Sequence, residues 1–189
     1  MSTLEVNTIT PQSGTTITIG GSGQTVTLGS GATQSGFGGT NSPNFSAYLS
    51  ANQTVSHGTW TKVNINATVF DTDSAFNTSS NRFTIPTGKG GKYWFTGNIH
   101  FDGFGGGNTN NDTYYAMFYI NGSQSYAHQI NIEPDINKTG VNISRIINLS
   151  AGDYIELWCY TDQQTGTGQI EGTTSASRKT WFDGFKLVE

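Results

Sequence analysis

The chain has 189 residues, of which 33% are hydrophobic and only 12% charged, with 25 glycines and a formal net charge of −4. Its polarity comes from Thr, Ser, Asn and Gln, which is unlike the highly charged composition of a disordered chain and usual for β-rich surface proteins. The acidic balance leaves no clustered Lys or Arg to replace phosphate counterions, so no nucleic-acid partner is expected; with no long apolar run and no secretory opening, neither is membrane insertion, and the chain reads as soluble.

From Val6 to Thr61 there is no Asp, Glu, Lys or Arg. The front of this neutral stretch repeats itself at a period of nine: Ile17, Ile19 and Gly20 fall opposite Val26, Leu28 and Gly29. Each unit reads as a short alternating strand closed by a glycine turn. So small a strand pair cannot bury its own apolar side. Three copies wound about one axis would do so, with Ile17, Ile19, Val26 and Leu28 pointing inward as a trimeric stem; a disordered Gly/Thr tail is the plainer alternative. The segment "SGFGGTNSP", Ser35 to Pro43, is a flexible connector by composition. The expected organisation is a stem or anchor over 1–34, a linker over 35–43 and a head over 44–189.

The head reads as strands throughout. "KYWFTGNIHFDG" alternates, with Tyr93, Phe95, Ile99 and Phe101 on one side and Trp94, Thr96, Asn98, His100 and Asp102 on the other. Nine further strands are read in "FSAYLS", "WTKVNI", "TVFDT", "RFTIP", "TYYAMFYI", "SYAHQINI", "NISRIINLS", "DYIELWCYT" and "TWFDGFKLV", and Asn121-Gly122 is a strong hairpin signal. Such a succession predicts an all-β sandwich or barrel. Two strands are apolar on both sides. The side bearing Tyr115, Tyr119, Tyr154, Trp158 and Tyr160 therefore calls for a cover, and a subunit interface, where aromatic residues are enriched, would supply it.

Cys159, the one cysteine, sits within "YIELWCY" and reads as a buried thiol rather than a nucleophile. It leaves no internal disulfide and suits a reducing compartment. The many Asn-x-Ser/Thr triplets follow from composition and are read as unmodified.

Two resemblances extend this reading. The opening "LEVNTITPQSGTTITIGG" resembles the amino-terminal repeats of small fibre and spike proteins of tailed bacteriophages, especially marine and cyanobacterial ones. In the head, the Phe70, Phe76, Asn77 segment, "FTIPTGKGGKYWF", "LSAGDYIEL" and "FDGFKL" follow one another as in the globular head of the complement first component's q subunit and its tumour-necrosis-factor relatives. The longer "PTGKGGKY" departs from the family's tight Pro-Gly turn. This resemblance covers about Phe45 to Glu189. It implies a ten-stranded jelly roll packed as a homotrimer through aromatic faces, recognition on exposed loops, calcium in some members, and no enzyme.

Candidate sites are few. "GFGGGN" at Gly103–Asn108 precedes a strand rather than a helix, so it is no dinucleotide loop. His57, His100 and His128 lack ligand spacing. Asp71 and Asp73 are weak calcium candidates set against solvated loop carboxylates, and so are Glu133 and Asp135; no metal and no cofactor are expected. No carboxylate pair for glycan cleavage is identifiable, so no catalytic residue is assigned. The loops "FDGFGGGNTNND" and "TDQQTGTGQIEGTTSASRK" offer amide-rich surface on a rigid scaffold; Phe104, Asn108 and Asn110 are the candidate receptor-binding residues. The expected function is a bacteriophage virion protein, a short trimeric fibre or spike assembled in the host cytoplasm. Its stem would join other virion proteins and its head would attach to a host-surface glycan or protein. The alternative is a trimeric capsid-decorating protein that reinforces the shell.

Overall fold

Alternation along the strands decides which side chains face inward. In this computed structural model residues 8–32, 41–103, 112–133, 138–162 and 167–187 are described, and the chain divides into two compact units, Met1–Gly38 and Gly39–Glu189. The second unit holds thirteen strands among its described residues: β1 (Asn44–Tyr48), β2 (Gln53–Ser56), β3 (Thr61–Lys62), β4 (Ala67–Asp71), β5 (Phe76–Asn77), β6 (Arg82–Thr84), β7 (Gly91–Asp102), β8 (Asp112–Ile120), β9 (Ser123–Ile132), β10 (Lys138–Leu149), β11 (Tyr154–Asp162), β12 (Thr167–Ile170) and β13 (Trp181–Lys186). The described residues contain no helix. Three strands go beyond the ten expected: β2, β5 and β12, of two to four residues each, are too short to show a period.

Two antiparallel sheets pack face to face. The first runs β2-β12-β7-β13-β1-β4, with β10 also on β7; the second runs β5-β6-β11-β8-β9, with β3 on β11. β10 pairs with β7 along its whole length. The other side of β7 is shared, by β13 against Tyr93–Asn98 and by β12 against Phe101 and Asp102.

Tyr93, Phe95, Ile99 and Phe101 of β7 are at most 1% exposed, as the alternation requires. They meet Phe45, Phe83, Phe118, Leu157 and Phe182 in one core. Phe45 stacks on Phe83 at 4.5 Å between ring centroids and meets Phe182 edge-on at 5.1 Å. Burying one such ring is worth about 1.5–3 kcal/mol. Cys159 lies in the same core, and burial pushes its thiol up to about 12.

In the first unit the glycine turns form: Gln24 N–H donates to Gly21 O at 3.1 Å and Ala32 N–H to Gly29 O at 3.0 Å. The strands expected there do not. No strand is present in residues 8–32, and Ile17, Ile19, Val26 and Leu28 are 40–62% exposed. An isolated strand pair is marginal in water unless a further neighbour buries its apolar side, and one copy of this segment supplies no such neighbour.

Candidate functional site

The sandwich has two unlike ends. At one, tight turns are stitched together. Asn121 and Gly122 both have positive φ, 51° and 78°, as a two-residue hairpin of this kind requires. The Asn121 side chain donates to Asp153 Oδ1 at 2.8 Å and accepts from Tyr154 N–H at 3.0 Å, while Asp153 Oδ2 accepts from Ser150 N–H at 2.8 Å. These bonds hold the Asp153 carboxyl below its ordinary range. The head's chain comes in at this end: Lys186 N–H donates to Pro43 O, and Lys89 Nζ to Ser42 Oγ.

At the other end β7, β9 and β11 finish and β8, β10 and β12 begin. The connections 104–111, 134–137 and 163–166 lie outside the described residues, and with them the receptor candidates Phe104, Asn108 and Asn110 and the acidic Asp135.

The outer face of the first sheet divides along β7. Near the turn end it carries an apolar row. Ile146 of β10 lies opposite Trp94, and Trp94 opposite Phe185 of β13, their rings 5.3 Å apart. Phe70 of β4 is one row further along, opposite Ser46. Ile146 is 61% and Phe70 50% exposed. A cleft of about 370 Å³ between Phe70, Trp94 and Phe185 borders Asp183, whose carboxyl burial pushes up, against the pull of hydrogen bonds from Ser46 and Ala47. Its Oδ1 is buried with no hydrogen-bond partner.

Near the loop end the same face is polar. Lys138, Asp102, Gln169 and Thr54 form one row across β10, β7, β12 and β2. Beneath it Glu171, whose N–H donates to His100 O at 2.8 Å, gathers two lysines and an imidazole. Its Oε2 meets Lys179 Nζ and, at 3.1 Å, His100 Nδ1, and Oε1 lies 3.4 Å from Lys138 Nζ, which also donates to Asp102 Oδ2 at 2.9 Å. Lys138 holds the Asp102 carboxyl below its ordinary range. Burial lowers His100, outweighing the opposite pull of Glu171.

On the second sheet's outer face the five aromatic residues expected at a subunit interface come together as β8 and β11 pair, Tyr160 opposite Tyr115 and Glu156 opposite Tyr119. Tyr119 stacks on Trp158 at 4.1 Å and Tyr115 meets Tyr160 edge-on at 5.6 Å. Tyr154 lies beneath the Arg82 guanidinium, 4.3 Å away. Part of the cover sought in a neighbour comes from Trp60 of the same chain, 4.9 Å from Tyr160 and 5.6 Å from Tyr115. Trp158 Nε1 donates to Glu156 Oε2 at 3.0 Å, and Lys62 Nζ reaches Glu156 Oε1 at 2.5 Å.

The calcium candidates have local duties. Asp71 accepts Ala75 N–H at 3.1 Å and Phe76 N–H at 2.8 Å, and Asp73 accepts from Thr72 Oγ1 at 2.9 Å. Among the described residues no three His, Cys, Asp or Glu are placed to hold a metal ion, and no helix is long and apolar enough to cross a membrane. Gln169, Glu171 and Lys179 fall within the stretch "TDQQTGTGQIEGTTSASRK" read as an amide-rich loop, part of which forms β12 instead; sequence reasoning does not single out Lys138, and the convergence of the four depends on β12 reaching β7.

The head superposes on the globular domain of zebrafish complement 1qA protein with a TM-score of 0.52 and 14% identity, over 78% of this chain and 98% of that one. The fold is a jelly roll of the C1q and TNF type. Eiger TNF from S. frugiperda is similar at a TM-score of 0.50 and 10% identity, over 77% of this chain and 92% of that one. By sequence the chain is 30% identical over 110 residues to the uncharacterized protein YqcC of Bacillus subtilis (strain 168), a match over 53% of this chain that spans 27% of the relative's length. No family profile matches.

Proposed function

We propose that this is a non-enzymatic bacteriophage virion protein, a short trimeric fibre or spike whose jelly-roll head attaches to the host surface. The observation that carries the reading is the head's polarity: its chain comes in at the stitched turn end, while β7, β9 and β11 finish and a charged polar face lies at the other. A head so built presents its recognition surface away from its point of attachment.

Trimerisation rests on apolar surface left uncovered by one chain. In the stem this is Ile17, Ile19, Val26 and Leu28. In the head, Ile146 and Phe70 flank Trp94 and Phe185 on the first sheet, a more exposed set than the Trp60-covered rings of the second. Removing water from such surface contributes about 25 cal/mol per Å².

Particles lacking the protein test the reading against capsid decoration. Attachment predicts that they lose adsorption to host cells while keeping their temperature of genome release. A decorating trimer stabilises the assembled shell by binding it, so a lowered release temperature with normal adsorption would replace the attachment reading.

A further inference from the structure

We infer that the polar half of the first sheet's outer face binds a neutral saccharide, with Gln169, Glu171 and Lys179 as its principal contacts. This rests on the attachment reading and names its ligand class. Two clefts lie side by side here. One, of about 240 Å³, is bordered by Asn52, Glu171, Ser175, Ser177 and Lys179; the other, of about 270 Å³, by Thr54, Asp102 and Gln169. An amide pair links their linings, Asn52 Nδ2 donating to Gln169 Oε1 at 3.1 Å.

The chemistry selects the ligand. Each cleft offers donors and acceptors together: a carboxylate accepts from one hydroxyl of a vicinal diol while an ammonium or amide donates to the other. The polar groups are already paired with one another: Lys138 ties Asp102 to Glu171 and Lys179 closes on Glu171. Preorganised polar groups lose little freedom on binding.

Charge decides against a polyanion. Asp102 and Glu171 balance Lys138 and Lys179, and His100, lowered by burial, adds no cation near neutral pH. Each cleft is smaller than the roughly 300–1,000 Å³ of drug-sized sites. Two adjoining small clefts fit successive residues of a sugar chain.

The test uses the full chain with neutral trisaccharides built from glucose, galactose or N-acetylglucosamine at millimolar concentration, followed by amide chemical shifts. At least one should perturb Gln169, Glu171 and the Asn52 and Gln169 side-chain amides. The double variant Gln169→Ala with Lys179→Ala should weaken that binding at least about tenfold, from the loss of two hydrogen bonds, one of them to a charged group, with Tm showing that the head stays folded. Silence with all three sugars, binding unaltered in the double variant, or displacement by dextran sulfate would overturn the site. Two further results keep the readings apart. Adsorption lost without the protein but intact in the double variant removes this site and leaves attachment standing. Sugar binding here, with normal adsorption of particles lacking the protein, keeps the site and removes attachment.

Discussion

Gly184 lies between Phe45 of β1 and Phe95 of β7, paired with both. A Cβ there would come within 2.5 Å of Phe95 Cδ1 and 2.9 Å of Phe45 Cε1. The glycine of "FDGFKL" is thus the gap into which two rings fold. Gly184→Ala should destabilise by about 1–3 kcal/mol through overpacking, read as a fall in Tm, while alanine at exposed Gly29, which has no atom within 4 Å of a built Cβ, leaves Tm unchanged. Two aspartates titrate with opposite sign. Asp153 is held below its ordinary 3.8 by Asn121 and Ser150, so its contribution is present above that value and lost as pH falls through the folded one. Asp153→Asn should lower Tm at neutral pH and flatten its decline below about pH 4. Asp183 is raised by burial; its contribution is complete below the ordinary value and lost as pH rises through the folded one. Asp183→Asn should therefore raise Tm at pH 7, and an unchanged Tm would mean that the hydrogen bonds from Ser46 and Ala47 offset the cost of burying the carboxylate.

At the scale of elements, the stem and the head differ in what one copy can complete. β7 has hydrogen-bonded neighbours on both sides, whereas the Ile17–Leu28 segment forms turns and no ladder. Deleting Met1 to Gly39 should leave a folded head, by circular dichroism and Tm, that no longer joins particles; normal incorporation of the truncated protein would remove the stem as anchor. The long strands were legible in sequence because period-two alternation is a local signal: Tyr93, Phe95, Ile99 and Phe101 all face the core. Alternation and turns pointed only to a sandwich or barrel; the jelly roll was legible through the family resemblance carried by the order of turns and aromatic residues. What escaped was non-local. β12 has four residues and no alternation to announce it, yet it brings Gln169 beside Asp102 and Glu171 beside His100. Trp60 likewise shows no sign in sequence that it will cap Tyr115 and Tyr160, because that contact depends on β3 reaching β11.

For the whole molecule, the proposed trimer and the apolar surface that would close it are open to direct measurement. Ile146→Asp, at a position 61% exposed, should leave the chain folded and shift its mass by light scattering from trimer to monomer, since a charge there must be desolvated on association. Tyr115→Asp should not shift the mass if the first sheet carries the contact, and the reverse pattern would move the interface to the second. The pairing of β1 with β13 has a consequence of another kind. Asn44, which opens the sandwich, lies directly opposite Phe185, near its close, so the two strand ends are separated by about one interstrand spacing, ~4.8 Å. A domain that begins and ends at neighbouring points is an exchangeable cassette. It can be lifted out and replaced by another of like geometry without moving what flanks it, and its termini can be joined and the chain reopened elsewhere. The head could then be exchanged by recombination as a whole, leaving the residues before it untouched.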